Sequence, residues 1–232
     1  MNIGLILPQF RYDFKEALHV ANEAEEVGID GLFAFEHLWP PGEPQRPCLE
    51  PFVLLGAVAE VTKKIAVGTL VARVGLTSNE VLVSRFRSLA HIAPSRVIAG
   101  LGIGDSQSIG ENSMLGIGLR PGWQRRQQLA SACTTLMSAS IPVWVGGKGR
   151  KTIEIARKTG AAVNLWDVTP AVIREESTKG EVTWGGVAPS DYSDLLELLT
   201  ALAGSGASWA IVGWPRSVIE LGNAASEIHQ IS

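Results

Sequence analysis

The sequence predicts an α/β fold, a compact (β/α)8 TIM barrel built as a single domain over residues 1–232. Three observations predict it. Short apolar runs alternate with segments of helical period along the whole chain, which argues for parallel strands joined by crossover helices. Eight such units follow one another with no charged linker, which favours a closed barrel over the open doubly wound sheet that is its nearest rival. The chain has 232 residues, 46% of them hydrophobic, and α/β barrels run to about 200–250 residues as one domain.

The first apolar run, residues 3–7, is closed by Pro8. Phe14, Ala17, Leu18, Ala21, Ala24 and Val27 then recur at helical spacing, with Lys15, Glu16, Glu23 and Glu26 on the polar side and Gly28 as the stop. Residues 31–35 form the second strand and end at Glu36-His37. Pro51 suits the first turn of the next helix, which runs through Leu54, Leu55, Val58, Ala59 and Val61 to the cations Lys63 and Lys64. Residues 65–71 are the third strand, 79–92 a helix and 96–101 the fourth strand. Residues 106–121 read as a shortened, irregular insertion ahead of a helix over 122–138. The fifth strand, 141–145, precedes a helix over 150–159; the sixth, 162–165, precedes a stunted helix over 171–177. Residues 181–184 are the seventh strand, Leu195, Leu196, Leu198, Leu199 and Leu202 mark a helix, and 209–212 are the eighth strand before a last helix over 215–228.

The net charge of -3 is mild and gives no reason to expect a nucleic-acid or membrane partner. Two cysteines, Cys48 and Cys133, make neither a disulfide framework nor a metal-binding spacing, so free thiols in a reducing cytosol are the economical reading. The opening residues lack a basic segment followed by a long apolar one, so no signal peptide is expected, and no apolar run approaches the ~18 residues of a membrane span. Nothing resembles a metal cluster, a Walker loop or a nucleophile elbow, and Gly102-x-Gly104 alone is a weak dinucleotide signal. A cytoplasmic enzyme with a small-molecule substrate and no metal is therefore expected.

Barrel chemistry sits at the C-terminal ends of the strands. There the chain places Pro8-Gln9, Glu36-His37, Val71-Ala72-Arg73, Gly104, Gly146-Gly147-Lys148, Asn164-Leu165-Trp166, Trp184 and Trp214. An acid–base pair, aromatic walls from Trp39, Trp166 and Trp184 with Pro8 as substrate pocket, and glycine-lined backbone suit a flat polycyclic cofactor with a phosphate tail. Strand alternation sends Glu36 to the face opposite His37; if the strand has already ended, Glu36 orients His37 or contacts the cofactor. Gly146, Gly147, Lys148, Gly149 and Arg150 leave a buried strand and open a helix, so glycine backbone, free amides and cations can meet an anion. Arg120, Arg125 and Arg126 read as a solvated helix face, with Arg120 near enough to the insertion to reach an anionic tail.

Several motifs in register resemble the bacterial-luciferase-like family of flavin- and deazaflavin-dependent oxidoreductases. They are Glu36-His37-Leu38-Trp39-Pro40, Glu50-Pro51 with Leu54-Leu55, the run from Ala59 to Thr69, the run from Arg96 to Gly104, and Ile141-Pro142-Val143-Trp144-Val145-Gly146-Gly147. The resemblance implies coenzyme F-420 as first choice of cofactor, with flavin mononucleotide and dioxygen second, and it suggests a homodimer. It implies that His37 handles a proton or hydrogen-bonds the substrate. It also implies that Leu70, Val71 and Ala72 carry an unusual backbone, a non-proline cis peptide in a bulge beneath the cofactor ring. Gly104 and Gln107 fall in the loop after the fourth strand, where some deazaflavin-dependent members carry an acid in place of Gln107. A barrel that binds a ligand without catalysis is the reading from another class.

Overall fold

The computed structural model describes residues 1–104 and 108–231. The chain runs β1 (Asn2–Ile6), α1 (Lys15–Glu26), β2 (Gly31–Ala34), α2 (Pro51–Val61), β3 (Ala66–Thr69), β4 (Ala72–Arg73), α3 (Asn79–Ile92), β5 (Val97–Gly102), α4 (Ser108–Met114), α5 (Gly122–Ser138), β6 (Val143–Gly146), α6 (Arg150–Thr159), β7 (Ala162–Trp166), α7 (Pro170–Ser177), β8 (Val182–Gly186), α8 (Tyr192–Ala203), β9 (Trp209–Val212) and α9 (Val218–Ile231). The sheet order is β3-β2-β1-β9-β8-β7-β6-β5-β4, and a further pairing of β3 with β5 closes it into a ring. Every pairing is parallel. β4 continues the line of β3 after a break, so the nine strands occupy eight barrel positions, as expected. Among the described residues no helix is long and apolar enough to cross a membrane.

The local signals act where the sequence places them. Glu50 caps α2 by accepting the Val53 amide at 2.7 Å, with Pro51 in the first turn. Gly160 ends α6 in the left-handed region at φ 81°. Three details differ from expectation. The third strand, read as unbroken over 65–71, stops at Thr69 and resumes as β4 at Ala72; the Leu70–Val71 peptide between them is cis, as the family resemblance implies. The insertion is not wholly irregular, since it holds α4. The buried face of α4 is Ser108, Glu111 and Asn112, while Ile109 and Met114 are exposed, so the helix has no apolar stripe to announce it. The last helix begins at Val218, after a cis Trp214–Pro215 bond, where Ser217 Oγ accepts the Glu220 amide.

Two apolar layers follow from strand alternation. Ile3, Leu5, Leu32, Val67, Val97 and Val163 face outward against the helices. Phe33, Trp144, Trp209 and Ile211 fill the barrel from within. Phe33 and Trp144 stack at 5.2 Å, and Trp144 meets Trp209 at 5.4 Å. Glycine opposite these rings makes room for them: a Cβ on Gly4 would lie 2.8 Å from the Phe33 ring. This aromatic plug fills the lower barrel.

Candidate active site

A cleft of about 450 Å³ opens at the C-terminal ends of the strands. Its walls are Phe35 and Trp166, whose rings meet edge-on at 5.6 Å, and its floor is Leu70 and Val71 at the break between β3 and β4. Gly102 and Gly146 flank that floor because Val71 projects between them. A Cβ on Gly102 would fall 2.5 Å from Val71 Cγ2, and one on Gly146 would fall 2.7 Å from Cγ1.

The exit of β2 is pinned from both sides. Gln9, wholly buried, accepts the Phe35 amide at 2.5 Å and donates to the Phe35 carbonyl at 2.9 Å. Cys48 Sγ donates to the His37 carbonyl at 2.9 Å. His37 is thereby held at the cleft. Its Nδ1 lies 2.9 Å from Glu111 Oε1, and that oxygen also accepts the Leu38 amide at 3.3 Å. Glu111 Oε2 lies 2.6 Å from Arg73 Nη2, an ion contact out of line for a hydrogen bond. Arg73 and Glu111 are both deeply buried, 6% and 2% exposed. An imidazole, a carboxylate and a guanidinium are thus joined in a row, from the segment after β2, from α4 and from β4.

Glu36 stands on the other face, behind the cleft. Its Oε2 accepts the Arg73 amide at 2.5 Å, and Oε1 lies 3.6 Å from Arg85 of α3. Burial pushes its carboxyl up to about 7, against the Arg73 amide and the charges of Arg73 and Arg85, which pull it down. Glu36 does not touch His37; the carboxylate beside the imidazole is Glu111.

Gly146, Gly147 and Gly149 line the rim, and buried Thr152 follows on α6. The α6 N-cap is Gly149, which brings no side chain to the first-turn amides. Lys148 and Arg150 turn to solvent, and Arg150, 93% exposed, pairs with Glu154 at 3.0 Å. It is therefore the loop backbone, not its cations, that faces the cleft. Gly104 lines the cleft, with its carbonyl held by Arg125 at 3.0 Å, so Arg125 belongs to the loop's support and not to a solvated face. Asn164 lines it too and donates to Thr183 Oγ1 at 2.9 Å.

Other residues named from sequence lie elsewhere. Ala72 is buried against the helical layer. Trp184 points out of the barrel into the same layer, 2% exposed, with Nε1 donating to the Val168 carbonyl at 2.9 Å. Pro8 is buried outside the lining, and Trp39 packs beside Gly110 of α4. Gln107 lies outside the described residues. The sequence reading passed over Glu111 and gave no role of their own to Thr152, Gln9, Arg73 or Asn164. The only signal for Glu111 is the polar stripe Ser108, Glu111, Asn112 at helical spacing. Among the described residues no cluster could hold a metal ion.

Comparison with known proteins agrees with the barrel fold. A family model described as luciferase-like monooxygenase matches residues 1–128. An F420-dependent glucose-6-phosphate dehydrogenase of Nakamurella multipartita is 25% identical over 213 residues, covering 82% of this chain and 60% of that protein. One from Beutenbergia cavernae is 29% identical over 126 residues, 53% of this chain and 35% of that protein. The chain thus spans from about a third to 60% of the length of these relatives. Among solved structures, a coenzyme F420 dependent tetrahydromethanopterin reductase from Methanopyrus kandleri superposes with a TM-score of 0.79 at 12% identity, covering 99% of each chain. An F420-dependent secondary alcohol dehydrogenase superposes at 0.68 and 18% identity, over 97% of this chain and 81% of the other. At these identities the likenesses speak to the fold alone.

Proposed function

Because the chain belongs to the luciferase-like monooxygenase family, we propose that it is a two-electron oxidoreductase whose cleft takes a reduced deazaflavin, coenzyme F-420, beside a small organic substrate. The observation that carries the reading is the row His37–Glu111–Arg73 beside an aromatic-walled cleft, at the strand ends where barrel enzymes keep their chemistry. The curated relatives, all named F420-dependent glucose-6-phosphate dehydrogenases, favour the deazaflavin over flavin mononucleotide.

The residues present fit such a group. Phe35 and Trp166 offer flat walls, Leu70 and Val71 an apolar floor, and the uncapped amides of α6 with Thr152 a seat for a phosphate. When bound, a reduced deazaflavin supplies the hydride. His37 takes or gives the accompanying proton at Nε2, because Glu111 engages Nδ1 and so fixes the ring and its tautomer. Phe35, Trp166 and Leu70 keep water from the reacting atoms. The reading places the enzyme in the cytosol as a homodimer without nucleic-acid or membrane partners, in keeping with its mild charge.

A second reading, flavin mononucleotide with dioxygen, is favoured by the family's description as monooxygenases. Separate titrations of the purified protein with F-420 and with flavin mononucleotide, followed by cofactor absorption and fluorescence, decide between them. Saturable F-420 binding, lost in Gly147→Val because a side chain there is strained at φ 130°, is the expected result. Tighter binding of flavin mononucleotide would select the second reading, and binding of neither would leave a barrel without redox chemistry.

A further inference from the structure

Arg73 has more donors than its surroundings use. Its side chain is 6% exposed, and Nη2 is taken by Glu111. Nε and Nη1 are buried and, among the described residues, have no hydrogen-bond partner. A buried, charged N–H without an acceptor is costly, and such groups in folded proteins find one in a ligand, a water or the protein itself. Among the described residues, the nearby acids do not provide it. Glu111 is divided between His37, the Leu38 amide and Nη2. Glu36 is spent on the Arg73 main-chain amide and on Arg85. Among the described residues that line the cleft, Arg73 and His37 are basic and none is acidic. Arg73 is thus the one permanent cation among those described lining residues, on β4 just beyond the floor.

We propose that the Arg73 guanidinium recognises an anionic oxygen group of the bound molecule, a carboxylate on the substrate or a phosphate on the cofactor. The proposal rests on the cleft being the site described above, not on which cofactor fills it. A charge-assisted bond to a planar guanidinium discriminates a carboxylate from its neutral amide of the same shape.

The test uses benzoate and benzamide as a matched pair, and F-420, each titrated calorimetrically into wild type, Glu111→Gln and the double variant Arg73→Gln/Glu111→Gln. Removing both charges together avoids stranding a buried carboxylate, and Glu111→Gln alone is the reference that keeps Arg73. Benzoate is expected to bind on the order of tenfold tighter than benzamide in wild type and in Glu111→Gln, and equally in the double variant. With F-420 affinity unchanged between the last two proteins, that result assigns Arg73 to the substrate. A tenfold loss of F-420 affinity in the double variant alone, with no change in the benzoate preference, assigns it to the cofactor. Equal behaviour of Glu111→Gln and the double variant toward all three probes overturns the proposal and leaves Arg73 as the structural partner of Glu111. Benzoate discrimination by a wild type that binds no F-420 would retain Arg73's role and sink the deazaflavin reading alone.

Discussion

His37 and Glu111 are 74 positions apart, and only folding makes them neighbours. His37 was legible because it closes an apolar run; Glu111 was not, because its helix buries polar groups and carries no hydrophobic period. The phase of a short strand was equally hard to read. Trp184 and Gly185 adjoin, and one step decides that Gly185 faces into the barrel under Trp166 while Trp184 faces the helices. With saturating cofactor, His37→Ala and Glu111→Gln should each lower turnover, the first by about 10²–10⁴-fold. Cofactor affinity should stay within a few-fold; a loss of affinity matching the loss of turnover would make the cluster a binding device. Glu36 makes a different prediction. Its native carboxyl titrates at about 7, above the ordinary value of 4.5, so between these pH values the folded state binds more protons than the unfolded. Its contribution to stability is full below the lower value and fades as pH rises through the upper. Glu36→Gln should remove that slope, gaining on wild type by up to about 3 kcal/mol from acid to alkaline pH. Urea midpoints at about pH 5 and pH 8 check it; parallel curves for the two proteins would refute it.

At the scale of elements, all eight strand positions and the helices between them except α4 were readable, because period and punctuation agree along most of the chain. The apolar run over 65–71 does not itself encode the break within that strand; the family resemblance implied it. The glycines opposite are its record. Val71, stiff at χ1, occupies the space that side chains on Gly102 and Gly146 would need. Gly102→Ala should therefore destabilise the protein by about 1–3 kcal/mol through overpacking. Val71→Ala leaves only a Cβ, 3.5 Å from the new methyl, so the double variant should recover most of the loss. A double-mutant cycle on urea unfolding measures the coupling; simple additivity would show that Val71 is not the obstacle.

Across the whole molecule, the pairing of β3 with β5 closes the sheet into a ring, in which β4 meets β5 alone and β5 meets β3, β4 and β6. The overlaps are unequal. β7 and β8 share four residue pairs, whereas β3 meets β5 over only two, Val67 with Val97 and Gly68 with Ile98. Just above those pairs Gly100 passes so close to the Thr69 carbonyl that no Cβ fits, and Thr69 Oγ1 bridges to the Gly100 carbonyl at 2.7 Å. This short overlap lies directly under the floor of the cleft. In native-state deuterium labelling, the amides of Val67 and Gly68 should lose protection before those of β7 and β8. A ligand resting on Leu70 and Val71 would clasp the two sides of this seam, so its arrival should slow their exchange more than that of any other strand pair.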